Sequence, residues 1–61
     1  DELKIERENL YKSAIPYLEK VYNLENDNLS AARTLKNIYS ALGDTEQENK
    51  YKVIVAELEN N

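Results

Sequence analysis

Apolar residues fall into three helix-spaced runs separated by two polar breaks. In the first run Leu3, Leu10, Ala14, Tyr17, Val21 and Leu24 keep one register, with Arg7 as its only charged interruption. Leu18 and Tyr22 widen that stripe to the breadth a packed helix needs. No glycine or turn cluster interrupts residues 1–24, and Asp1, Glu2, Glu6 and Glu8 crowd the start, where the helix dipole favours acidic groups. The pattern predicts one helix over residues 2–24, about 35 Å long at 1.5 Å per residue. Pro16 removes the amide that would bond the Lys12 carbonyl, so a kink is expected near residues 12–16. A competing reading breaks the chain at Asn9 and makes residues 1–8 the tail of a separate helix.

Asn23, Glu25, Asn26, Asp27 and Asn28 form the strongest polar cluster, and short Asn and Asp side chains favour turns over helix interiors. Asp27 or Asn28 then caps a second helix over about 28–42, with Leu29, Ala32, Leu35, Tyr39 and Leu42 as its core stripe and Ile38 alongside. Gly43, the only glycine, stands where a helix ends on a left-handed residue. Asp44 follows as the next cap, with Gln47 placed to complete a capping box. The third helix, about 45–58, buries Tyr51, Ile54, Val55 and Leu58, and Glu59, Asn60 and Asn61 are expected to fray. Helices joined this tightly are antiparallel neighbours. The chain therefore reads as all-α, a three-helix up-down-up single domain over residues 1–61.

A shift of 34 residues superposes Tyr17 on Tyr51, Val21 on Val55, Leu24 on Leu58, Glu25 on Glu59 and Asn26 on Asn60. The same shift places Asn9 on the Gly43 turn. With the helix-Gly43-Asp44-helix hairpin, the chain resembles the tetratricopeptide repeat. Residues 10–28 are similar to the second helix and linker of one repeat, and residues 29–61 to a complete following one. Ala14, Tyr17 and Val21, then Leu35, Tyr39, Gly43, Asp44, Val55 and Leu58, stand at the family's packing and turn positions. Three residues depart from its pattern. Lys36 and Glu48 replace small residues at the helix crossing, where a charged pair across wider-spaced helices is expected, and Asn26 replaces the linker proline. The resemblance implies a divergent, terminal or capping segment of a right-handed superhelical array, used for protein-protein interaction without catalysis.

Composition narrows the role. Sixty-one residues bury only about 60% of the unfolded chain's surface, and without cysteine no disulfide or thiolate-metal site adds stability. Eight basic residues against twelve acidic ones give a net charge of -4. That balance, with basic residues scattered, argues against nucleic acid and against anionic membranes as partners. No apolar run approaches the roughly 18 residues of a membrane span. Composition does not fix a compartment. With no His or Cys and no glycine-rich phosphate loop, an enzyme is disfavoured. No cofactor is implied. The segment Glu25 to Asn28 lacks the glycine and bidentate glutamate of a calcium loop and reads as a capping linker.

The candidate site is the face of the second helix opposite its core: Ser30, Arg33, Thr34, Asn37 and Ser40, with Ala41 beside them. Arg33 and Asn37 are four apart and share one face. A guanidinium offers two parallel donors to a carboxylate and an amide adds another. The family resemblance implies that this helix lines a groove for a partner protein or peptide and that such a pair holds a terminal carboxylate. The bland alternative is a solvated polar face. Tyr17, Tyr39 and Tyr51 are expected to pack in the core, while Tyr11 and Tyr22 are placed at the border of an interface. Glu46 and Glu48 with Lys50 and Lys52 read as a salt-bridged surface. The alternative role is a structural end cap, or a homodimer joined through Leu3, Leu10 and Tyr11.

Overall fold

The computed structural model describes residues 1–60. It contains three helices in order: α1 (Glu2–Leu24), α2 (Leu29–Leu42) and α3 (Thr45–Glu59). The predicted boundaries hold to within a residue at each end. Helix α1 does not break at Asn9 and continues through Pro16. Helix α3 runs through Glu59, and the Asn60 N–H still donates to the Ala56 carbonyl at 3.2 Å, so the last turn is formed where fraying was expected. The expectation for Asn61 lies outside the described residues.

Each helix starts on a side-chain cap. The Asp1 carboxylate accepts from the amides of Leu3 (2.9 Å) and Lys4 (3.4 Å). Of the two candidates for α2, Asn28 is the cap, accepting from the Ala31 amide at 3.0 Å. Between α2 and α3 Gly43 adopts φ 76°, its N–H donates to Ser40 O at 3.1 Å and the Asp44 N–H donates to Tyr39 O at 2.9 Å. These two bonds make a Schellman ending. The Asp44 carboxylate accepts from the Gln47 amide at 3.2 Å. The expected capping box is therefore only half made. Its other half needs the Asp44 N–H as a donor to Gln47, and that N–H already closes the α2 terminus.

Helix α2 supplies most of the interior: Ala31, Ala32, Leu35, Ile38 and Tyr39 are buried, joined by Tyr51 and Val55 of α3. Leu29, Ile54 and Leu58 pack half-buried against this set. Helix α1 has no fully buried residue and meets the core through Ile15, Leu18 and Tyr22. The α1 register expected from the sequence is thus corrected. Leu3, Leu10 and Tyr17 are 69% exposed and Leu24 is 77% exposed. Tyr11, Ile15, Leu18 and Tyr22 form a second stripe at spacings of four, three and four, about a quarter turn away. Both stripes satisfy helical periodicity, and the second is the one that α2 covers. In consequence the 34-residue equivalents Tyr17 and Tyr51 occupy opposite environments, one exposed and one buried.

Tyrosines tie the three helices at one point. The rings of Tyr39 and Tyr51 stack at 5.8 Å and 14°, and Tyr22 of α1 meets Tyr51 edge-on at 5.8 Å and 79°. Tyr22, on the packed stripe as the sequence places it, is therefore half-buried against the core. The Tyr39 hydroxyl donates to Glu19 Oε1 of α1 at 2.5 Å. No Cα of α1 lies within 8 Å of one of α3. The ring of Tyr22 thus spans a gap that the backbones leave open. The expected charged surface pairs are not formed: among the described residues, neither Lys36 with Glu48 nor Glu46 and Glu48 with Lys50 and Lys52 come within ion-pair distance. Lys50 instead places its Nζ 5.3 Å above the Tyr51 ring.

A Cβ added at Gly43 meets nothing within 4 Å, so Gly43→Ala carries only the backbone cost of a left-handed residue. We expect a loss of about 1–2 kcal/mol in urea unfolding; an unchanged midpoint would show that the α2 terminus is not held left-handed. The tyrosines add a pH prediction. Burial first, then the hydrogen bond to Glu19 and its charge, hold the Tyr39 hydroxyl above its usual 10.0. Burial, Glu19 and Tyr22 raise Tyr51 in the same direction. The folded state keeps these protons longer than the unfolded chain does. Their contribution to stability is therefore complete below pH 10 and is lost as the pH rises beyond it. Thermal midpoints should fall across the alkaline range, less steeply in Tyr39→Phe, and a flat profile would contradict the buried arrangement.

Candidate functional site

Because α2 is covered by α1 on one flank and by α3 on the other, a single strip of it faces outward. Ser30, Arg33, Thr34, Asn37 and Ser40 are all exposed on that strip, and Ala41 is exposed beside them. The sequence places them there through the helical repeat, since the residues between them, Ala31, Ala32, Leu35, Ile38 and Tyr39, form the inward stripe.

The strip divides across its width. Towards α1, Ser30 and Thr34 border a shallow groove of about 170 Å³ whose other wall is Tyr17, Leu18 and Val21. The Thr34 hydroxyl donates to the Ser30 carbonyl at 2.9 Å, so its proton is already used and its oxygen remains an acceptor. Towards α3, Arg33 Nη2 lies 3.3 Å from Glu59 Oε1, with both side chains about half exposed. Asn37 and the two serines make no side-chain hydrogen bond to another described residue. Chemically the strip is rich in donors: a guanidinium, a carboxamide and two hydroxyls, matched to an acceptor such as a carboxylate or an extended peptide backbone.

Two residues of this region escape sequence reasoning. Glu59 sits on the last turn of α3, which composition alone marks as a fraying end, so nothing pointed to its pairing with Arg33. Tyr17 belongs to the α1 stripe assigned to the core, yet it stands exposed beside Ser30 and Thr34. Helical phase relative to Ile15 and Leu18 is the signal that would have separated them.

Elsewhere the surface concavities are shallow. One lies between the first half of α1 and the end of α2, lined by Lys4, Arg7, Glu8, Tyr11 and Ala41. Another runs beside α1 at Glu6, Asn9, Leu10 and Ser13. Among the described residues no group of three or more His, Cys, Asp or Glu could hold a metal ion, and no helix is long and apolar enough to cross a membrane. Comparison with models of known protein families, with characterised proteins and with solved structures gives no match.

Proposed function

We propose that this chain is a non-enzymatic, tetratricopeptide-like interaction or scaffold module that holds a carboxylate-bearing partner peptide along the outward strip of α2. The observation that carries this reading is the Arg33–Glu59 contact. A carboxylate already sits against the guanidinium at 3.3 Å, half open to solvent. Exposed pairs of this kind contribute only about 0–1 kcal/mol, so a ligand carboxylate displaces Glu59 at little cost. Asn37, one turn along from Arg33, supplies an amide donor to the same ligand, and Ser30 and Ser40 extend the polar contact along the helix. The central position of α2, packed on both flanks, supports the same reading, because it holds the five side chains on a rigid rod.

The test uses a synthetic peptide array that presents each sequence with a free and with an amidated C-terminus. We expect retention of free-carboxylate peptides, loss of retention in Arg33→Gln/Asn37→Ala, and tighter retention in Glu59→Gln, where the internal competitor is gone. Helicity should stay constant throughout, since all three side chains are exposed. Equal retention of free and amidated peptides, or identical behaviour of the variants, would sink the proposal.

A further inference from the structure

The exposed stripe of α1 has a period that the α1–α2 packing does not use. Leu3, Leu10, Tyr17 and Leu24 are seven apart, and Arg7, Ala14 and Val21 fall between them, so spacings of four and three alternate along the whole helix. This is the spacing that a coiled-coil seam uses. Leu3, Leu10, Tyr17 and Leu24 are the most open apolar residues of the helix. The seam lies about 90° around α1 from the residues that face α2, so a further helix fits beside α1 without displacing α2. Helix α1 has 23 residues and α2 has 14, and the end of α2 meets the first half of α1 at the shallow concavity where Ala41 lies near Lys4, Arg7, Glu8 and Tyr11. From that half Glu8 and Tyr11 are partly covered, and Leu3, Ile5 and Leu10 are exposed.

We propose that this seam pairs with the α1 seam of a second copy of the chain, in antiparallel orientation. The charges that flank the seam select both the occupant and its direction. With the two-fold axis beside residue 12, Leu10 packs on the second copy's Ala14, and Leu3 on its Val21. Arg7 lies against the second copy's Tyr17, guanidinium over ring. Glu6 faces the second copy's Lys20, and symmetry repeats every contact. A parallel pair would instead stack Arg7 on Arg7 inside the seam, where like charges are costly. The opposed helix dipoles also favour the antiparallel arrangement. Ser13 falls at the centre of the flanking row, and its hydroxyl is already bonded to the Asn9 carbonyl at 2.9 Å, so covering it strands no donor. This surface meets the outward strip of α2 at the groove where Tyr17 and Val21 face Ser30 and Thr34, and it does not include Arg33, Asn37 or Ser40, so sedimentation without peptide tests the pairing by itself.

The decisive experiment is sedimentation equilibrium on the intact chain with a charge-swap pair. Wild type is expected to be a concentration-dependent dimer. Leu10→Glu weakens association at least about tenfold while circular dichroism keeps its helicity, because Leu10 is exposed and outside the core. Glu6→Lys alone and Lys20→Glu alone are each expected to be monomeric, whereas their equimolar mixture restores the dimer, an outcome specific to the antiparallel register. A wild type that stays monomeric at every concentration overturns the proposal and leaves the seam to a different protein. A dimer that survives Leu10→Glu, or a mixture that stays monomeric, overturns it equally.

Discussion

The stack of Tyr39 on Tyr51, closed by the edge of Tyr22 and anchored by the hydroxyl bond to Glu19, is the contact on which this small structure depends. Tight turns alone would join α1 to α2 and α2 to α3 in sequence, yet nothing in the backbone brings α1 to α3. The tyrosines do. Each ring comes from a different helix, and offset or edge-on aromatic pairs contribute about 0.5–1.5 kcal/mol beyond the area they bury. In a chain of 61 residues, where total stability is only a few kcal/mol, two such pairs and one charge-assisted hydrogen bond are a large share.

That node also decides what is left outside. By fixing Tyr22 and Glu19 inward it sets the rotation of α1, and with it the exposure of Leu3, Leu10, Tyr17 and Leu24. By stacking α3 against Tyr39 it closes the second flank of α2 and leaves one polar strip in view. The molecule thus presents two surfaces of unlike chemistry. One is donor-rich and narrow, on α2. The other is apolar and long, on α1. The two meet at the groove where Tyr17 and Val21 face Ser30 and Thr34, and under the two proposals one surface gathers copies while the other holds a ligand.

Local features were legible in the sequence because short-range physics alone determines them. A lone glycine followed by aspartate specified the left-handed α2 terminus and the α3 cap, and Asn28 stood where a cap was needed. The outward strip of α2 was legible for the same reason: its inward stripe has no rival on that helix. Helix α1 has two apolar stripes of similar quality, and the choice between them belongs to the partner helix, which periodicity does not contain. The wider heptad stripe drew the core assignment, and the narrower one through Tyr11, Ile15, Leu18 and Tyr22 took it. Tyr22 and Glu19 meet the edge of the core through contacts with residues 51 and 39, distant in sequence. The Arg33–Glu59 pair was hidden likewise, since it depends on how far α3 runs alongside α2.

Amide hydrogen exchange followed residue by residue on dilute protein tests the tyrosine node most directly. If the node binds the three helices into one unit, the slowest amides of Ile15 to Tyr22 open with the same free energy as those of Leu35 to Tyr39 and Tyr51 to Val55, while residues before Leu10 exchange early. If α1 instead opens at a distinctly lower free energy while the α2–α3 hairpin stays closed, the tyrosines do not hold the helices together, and the exposed surfaces described above lose their common origin.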